Sequence, residues 1–147
     1  MLVSIFLFFS LDFCIIFLEE EEVNMRKKIL IVDDEKNFIE LVKKNLERAG
    51  DYEVKIECEG KKALAVAKEF RPDLIFLDIV MPDIPGGDVA RRLKDDPQTK
   101  DIPIVFLTAL MTKDEISEGE EIGGFPFIAK PIDTEELIKI IEKNTKK

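Results

Sequence analysis

Short apolar runs alternate with amphipathic segments from Met25 to the end of the chain, and this alternation restricts the possible folds more than any other feature. The runs that can form strands are residues 29–32, 54–58, 74–77, 104–107 and 127–129. Most of them are continuously apolar, as expected for parallel strands that are covered on both faces. The segments between them place apolar residues at helical spacing. The alternation therefore predicts an α/β fold in which a five-stranded parallel sheet lies between two layers of helices.

A few residues mark where the helices should begin and end. Gly50 is predicted to end the first helix, and the pattern Asp133-x-x-Glu136 predicts the start of the last one. The segment 112–122 fits the alternation poorly, because it offers only two isoleucines as apolar anchors. The fourth helix is therefore expected to be short or frayed.

The beginning of the chain differs from the rest. Residues 1–18 are apolar apart from two serines and Asp12, and four consecutive glutamates follow them. The stretch lacks the basic start and the small-residue cleavage site of a secretory signal, and a membrane anchor would usually need about 20 apolar residues without a central acid. The favoured interpretation is that translation starts at Met25, with a membrane anchor as the alternative. We therefore expect an apolar and acidic extension at residues 1–24 and one domain at residues 25–147.

Composition excludes several classes of function. The net charge of −9 argues against binding to a nucleic-acid backbone, since such binding needs clustered Lys and Arg. The sequence contains no histidine, which excludes a Ser-His-Asp triad, a zinc site with histidine ligands and a phosphohistidine relay within this chain. Its two cysteines form neither a disulfide framework nor a CxxC metal motif. A phosphohistidine that serves this chain must therefore belong to another protein.

Polar residues follow four of the predicted strands. Asp33 and Asp34 follow the first, Asp78 the third, Thr108 the fourth and Lys130 the fifth. Since the carboxyl ends of parallel strands share one edge of the sheet, these side chains are expected to meet there. Three crowded carboxylates favour a hard divalent cation, and Mg²⁺ suits them best, while an amine and a hydroxyl suit a phosphoryl group on Asp78. Taken singly, each residue could instead be a helix cap, a turn residue or a solvated strand end.

Four motifs in this chain, ILIVDDE, LIFLDIVMPDIPGG, IVFLTA and FIAKP, resemble those of the response-regulator receiver family in order and in spacing. Asp34 and Asp78 are 44 positions apart, Asp78 and Thr108 are 30 apart, and Thr108 and Lys130 are 22 apart. The resemblance extends from Met25 to about Asn144. It implies a flavodoxin-like, doubly wound sheet with the strand order 2-1-3-4-5 and helices on both faces.

The resemblance also implies roles for the residues at the strand ends. Asp78 would be the phosphoacceptor, becoming a 4-aspartylphosphate, and Lys130 would pair with the phosphoryl oxygens. Asp34 would bind Mg²⁺ directly, Asp33 largely through water, and the Val80 carbonyl would be a further ligand. Asp78 itself would be the remaining protein ligand of Mg²⁺.

A conformational switch is implied as well. Thr108 would reorient to hydrogen-bond the phosphoryl group, and Phe127, at the switch-aromatic position of the family, would swing inward behind it. Ala109 is small, as access to the phosphoacceptor requires. The chain departs from the family pattern at Val80 and Leu110, two positions that are often polar in relatives, and in its weak fourth helix.

The function expected from these residues is that of a stand-alone, cytoplasmic receiver that catalyses only its own phosphorylation and dephosphorylation. A sensor histidine kinase or phosphotransfer protein would supply the phosphoryl group, and a downstream target protein would read it, with a phosphorylation-dependent dimer as a further option. No output domain follows Lys147, so action through a partner is expected; a membrane is expected to be involved only if residues 1–18 are an anchor.

Three other functions are open to such a chain. A Mg²⁺-dependent phosphohydrolase would use Asp78 as a transient nucleophile, but it usually keeps a second acid two residues later, where this chain has Val80. An FMN-binding flavodoxin needs a phosphate-cradling loop after the first strand, where the acids Asp33, Asp34 and Glu35 would repel phosphate. A receiver-like scaffold would keep the fold without phosphorylation.

Overall fold

A computed structural model describes residues 25–115 and 120–146 of the chain. The expected extension at residues 1–24, and with it the choice between an anchor and a later start, lies outside the described residues. The strands are β1 (Lys27–Val32), β2 (Tyr52–Glu57), β3 (Leu74–Asp78), β4 (Ile104–Thr108), β5 (Glu121–Ile122) and β6 (Phe125–Ala129). The α-helices are α1 (Lys36–Ala49), α2 (Ala63–Phe70), α3 (Gly86–Asp95) and α4 (Thr134–Asn144). Single 3₁₀ turns occupy Gly60–Lys62 and Lys113–Glu115.

The strands form one sheet in the order β2-β1-β3-β4-β6-β5. The first five strands of this order pair in parallel, which confirms the predicted doubly wound sheet with β6 as its fifth strand. The chain adds one strand that the sequence pattern did not predict, since β5 pairs antiparallel with β6. The two-residue turn between them consists of Gly123 and Gly124, with φ angles of 59° and 87°. Positive φ at both central positions is the geometry of a tight hairpin turn, and glycine adopts it at little cost.

The segment before this hairpin is the one for which the sequence predicted a short or frayed helix between the fourth and fifth parallel strands. Within its described part, the only helical element is the single turn Lys113–Glu115. Residues 116–119 lie outside the described residues. The few apolar anchors of the segment leave a longer helix without a face to bury.

Two apolar clusters cover the two faces of the sheet. Ile29 and Ile31 face the cluster that includes α1 and α4, whereas Leu30 and Val32 face the cluster that includes α2 and α3. All four of these side chains are fully buried. Burial on both faces of the sheet explains why residues 29–32 of β1 are all apolar and do not alternate between apolar and polar.

The predicted helix ends are correct in position. Gly50 follows α1 and donates its N–H to the Leu46 carbonyl at 3.2 Å, but its backbone is extended and not left-handed. A glycine fits here because an added Cβ would lie 2.9 Å from the Tyr52 ring. Asp133 precedes α4 as predicted, although its side chain makes no capping hydrogen bond. Among the described residues, no helix is long and apolar enough to cross a bilayer.

Candidate functional site

The predicted site residues meet at the carboxyl edge of the parallel sheet. Asp33 and Asp34 directly follow β1, Asp78 is the last residue of β3, and Thr108 is the last residue of β4. Lys130 directly follows β6 and donates its backbone N–H to the Thr108 carbonyl at 2.8 Å. A cleft of about 350 Å³ opens at this edge, and Asp34, Asp78, Thr108 and Lys130 contribute to its lining.

Three carboxylates are crowded at the base of the cleft. One oxygen from each of Asp33, Asp34 and Asp78 lies within 4.8 Å of the others. Asp33 and Asp78 are buried, and Asp34 is exposed. Burial, followed by the charge of Asp33, raises the pKa of Asp78 to about 6, and the nearby Lys130 ammonium only partly opposes this. Burial also raises the pKa of Asp33.

This donor set suits a hard divalent cation. Carboxylate oxygens are the preferred protein ligands of Mg²⁺, and a cation among them would relieve their mutual repulsion. Asp33, Asp34 and Asp78 would hold such an ion. The carboxylate cluster that the sequence predicted is therefore present, and its occupation by Mg²⁺ stays a prediction.

Lys130 brings a positive charge next to Asp33 and Asp78. Its ammonium nitrogen lies 2.7 Å from Asp33 Oδ2, 2.8 Å from Glu35 Oε1 and 3.7 Å from Asp78 Oδ1. Burial alone would lower the pKa of Lys130, but its close pairing with the carboxylates of Asp33 and Glu35 outweighs burial and raises the pKa. The ammonium therefore stays charged in the cleft, where it can pair with an anion.

Glu35 is a site residue that the strand-end rule missed. It does not end a strand, and it follows the pair Asp33-Asp34 directly before α1. The only sequence signal for it is that it is the third acid of a run. Its contact with Lys130 joins residues 95 positions apart, which local sequence patterns do not encode.

The Thr108 hydroxyl is buried and faces the following loop. Its Oγ1 accepts a hydrogen bond from the Leu110 backbone N–H at 2.9 Å. Phe127 is half-buried and packs against the cluster that contains Phe106. Thr108 thus ends β4 and Phe127 lies in the neighbouring β6, and their role as a switch pair stays a prediction.

The loop after Asp78 is held against the start of α3. Gly86 donates its N–H to the Ile79 carbonyl at 2.8 Å. A Cβ added to Gly86 would overlap the Asp78 carbonyl oxygen and would lie 2.8 Å from Ile79 Cα. Glycine is therefore required for this close approach, which holds the start of α3 against the backbone of Asp78 and Ile79, directly before the predicted ligand Val80.

The mouth of the cleft carries two exposed apolar side chains. Val80 is 59% exposed and Leu110 is 67% exposed, although both are large and apolar. Both line the cleft with Asp78. Such side chains present no hydrogen-bonding group to a molecule that approaches Asp78.

Comparisons with known proteins agree with this geometry. The family described as the response regulator receiver domain matches residues 29–142. The chain is 35% identical over 118 residues to the polar-differentiation response regulator DivK of Brucella anthropi, covering 80% of this chain and 95% of DivK. It is 40% identical over 111 residues to the DNA-binding dual master transcriptional regulator RpaA of Synechocystis, covering 76% of this chain. The chain spans 46% of the length of RpaA, so it corresponds to less than half of that protein.

Solved structures give the same result. The chemotaxis protein CheY4 of Vibrio cholerae matches with a TM-score of 0.69 and 32% identity, covering 81% of this chain and 98% of that chain. This likeness confirms the flavodoxin-like receiver fold that the sequence predicted. From the family match and the coverage of DivK, the chain belongs to the response regulator receiver domains of two-component systems.

Proposed function

We propose that this chain is a phosphoacceptor receiver in which Asp78 takes a phosphoryl group from a phosphohistidine of another protein. The observation that carries this proposal is the cluster of Asp33, Asp34 and Asp78 oxygens within 4.8 Å, with the Lys130 ammonium beside them. A sensor histidine kinase or a phosphotransfer protein would be the donor, because this chain contains no histidine.

A metal site made of Asp33, Asp34, Asp78 and the Val80 carbonyl belongs to this proposal. Mg²⁺, when bound, supplies charge that neutralises the carboxylates and the phosphoryl oxygens. The raised pKa of Asp78 supports such a site, because burial and then the charge of Asp33 disfavour its ionised form, and a bound cation would offset both.

Phosphoryl transfer would then proceed in line. An ionised Asp78 oxygen attacks phosphorus, the bond between phosphorus and the imidazole nitrogen breaks, and the imidazole leaves with that electron pair and takes up a proton. Lys130 faces the developing negative charge on the phosphoryl oxygens. The product is an aspartyl phosphate on Asp78 and a neutral histidine on the donor.

The phosphoryl group would act on a protein partner through Thr108 and Phe127. Thr108 would exchange its hydrogen bond with the Leu110 N–H for one with a phosphoryl oxygen, and the half-buried Phe127 would move into the vacated space. The change would alter a surface that a downstream target protein, or a second copy of the chain, recognises. We place this chemistry in the cytoplasm, where histidine kinases phosphorylate receivers.

Labelling with a small phosphodonor tests this function. Acetyl phosphate with Mg²⁺ should add one phosphoryl group to the chain, as measured by intact-protein mass spectrometry. EDTA or Asp78→Asn should abolish the label, whereas Lys130→Ala should retain part of it and lose the conformational response. Undiminished labelling of Asp78→Asn would refute the assignment, and a complete lack of labelling of the wild type would favour a phosphorylation-independent scaffold.

A further inference from the structure

Glu35 occupies the N-cap position of α1 but does not cap the helix. Its backbone has φ −82° and ψ 84°, and its side chain makes no hydrogen bond to the N–H groups of the first turn. Its own N–H donates to Asp33 Oδ1 at 2.9 Å. A carboxylate at a helix start ordinarily gains from the free N–H groups and the helix dipole. Here it accepts a hydrogen bond from Lys130 at 2.8 Å instead.

The groups that hold the Lys130 ammonium lie on the α1 side of the cleft. Lys130 forms an ion pair with Asp33 at 2.7 Å and donates a hydrogen bond to Glu35 at 2.8 Å, and the Phe38 ring centroid lies 4.7 Å from its nitrogen. The oxygen of Asp78 is 3.7 Å away, beyond hydrogen-bond distance. The ammonium is thus bound most closely by groups other than the proposed phosphoacceptor.

We infer that Glu35 is a positioning residue that competes with the phosphoryl group for Lys130, and thereby lowers the affinity of the site for a phosphoryl group on Asp78. This inference rests on the proposed function. To pair with phosphoryl oxygens, the ammonium must move toward Asp78, and this movement lengthens or breaks its bond to Glu35. The Lys130 side chain is only 12% exposed, so water replaces the lost partner poorly.

The size of the competition follows from the exposure of Glu35. Its side chain is 61% exposed, and ion pairs with one exposed partner change equilibria only modestly. We expect Glu35→Gln to tighten binding of a phosphoryl mimic roughly two- to five-fold. Asp33 keeps its contact with Lys130 in this variant, so the ammonium stays in the cleft.

Binding of beryllofluoride in the presence of Mg²⁺ measures this effect on the full chain by calorimetric titration. Glu35→Gln should lower the Kd, and the control Glu69→Gln, an exposed acid on α2 with the same change in charge, should leave it unchanged. Thermal melting verifies that the variants fold. Asp78→Asn should bind no beryllofluoride; if it binds, the proposed function fails, whereas an unchanged or higher Kd in Glu35→Gln alone overturns only this inference.

A double-mutant cycle with Lys130→Met shows whether Glu35 acts through Lys130. The Lys130→Met chain should bind beryllofluoride more weakly, and its binding is followed by NMR titration at millimolar concentrations. In this background, Glu35→Gln should have no further effect. An equal gain in affinity with and without Lys130 would mean that Glu35 merely repels the anion, and would overturn the inference.

Discussion

Asp78 combines burial with two neighbouring carboxylates, and this combination makes its charged form unfavourable in the metal-free fold. Its pKa rises from 3.8 to about 6, first because it is buried and then because of Asp33. Between these two values the folded protein binds a proton that the unfolded chain releases. The contribution of Asp78 to the free energy of unfolding therefore falls as the pH rises from about 4 to about 6.

Asp78→Asn should therefore stabilise the metal-free protein at neutral pH. At pH 7.5 the free energy of unfolding of the variant should exceed that of the wild type by about 2 kcal/mol, and the difference should shrink towards pH 4. Denaturant titrations in EDTA measure it, and the addition of Mg²⁺ should stabilise the wild type more than the variant. A pH-independent difference would show that the charge of Asp78 is not its cause.

The lifetime of an aspartyl phosphate on Asp78 should depend on Val80 and Leu110. Its hydrolysis needs a water in line with the bond between phosphorus and the Asp78 oxygen, and these two side chains offer no group to orient that water. We expect slow intrinsic dephosphorylation, and Val80→Asn and Leu110→Glu should accelerate it by roughly ten- to a hundred-fold. Decay of the phosphorylated chain in Mg²⁺ buffer is the measurement. Because both side chains are exposed, the variants should melt like the wild type; equal or slower decay in them would contradict the prediction.

Among the elements, the connection from β3 to α3 controls the backbone around the phosphoacceptor. The N–H of Ile79 donates to the Leu107 carbonyl at 3.2 Å, and its carbonyl accepts from Gly86 at 2.8 Å. Asp83 in the same connection accepts from the Lys61 N–H at 2.9 Å. The connection is thus tied to β4, to α3 and to the turn before α2, which keeps the backbone between Asp78 and α3 in place.

Two neighbouring glycines at the start of α3 provide a matched test of this connection. Gly86→Ala should destabilise the fold by about 2–3 kcal/mol and slow labelling of Asp78, because the new Cβ collides with the Asp78 backbone. Gly87→Ala is the control, because its Cβ would meet nothing within 4 Å and alanine favours the helix by about 1 kcal/mol. The two variants are compared by their melting temperatures and by their rates of Asp78 labelling. Equal values for both variants would refute the proposed close packing.

For the molecule as a whole, the described residues 25–115 and 120–146 already form a six-stranded sheet with an apolar cluster on each face. A chain that starts at Met25 should therefore melt at the same temperature as the full chain and be labelled at the same rate. Calorimetry measures the melting temperature of each chain, and mass spectrometry measures its labelling rate. A lower melting temperature of the shortened chain would show that residues 1–24 contribute to the fold. If the full chain stays in the membrane fraction after alkaline extraction, the anchor hypothesis is supported.

The motifs of the sequence predicted the receiver strand order through their resemblance to that family. The pattern of the sequence by itself predicted a parallel α/β sheet and a meeting at one edge of Asp33, Asp34, Asp78, Thr108 and Lys130. It could do so because apolar periodicity reports which faces of an element are buried, and because parallel strands bring their carboxyl ends to one edge. For the same reason the few apolar anchors of segment 112–122 predicted a short or frayed helix there, and the described part of the segment holds one 3₁₀ turn.

The tertiary structure alone decided which groups touch one another at that edge. Lys130 pairs with Glu35 across 95 positions, and Gly86 packs directly against the backbone of Asp78. The hairpin of β5 and β6 also appears only in the fold, because a two-residue strand carries too little pattern to be read. These features depend on the distance and angle between elements that are remote along the chain, and a local sequence pattern contains neither quantity.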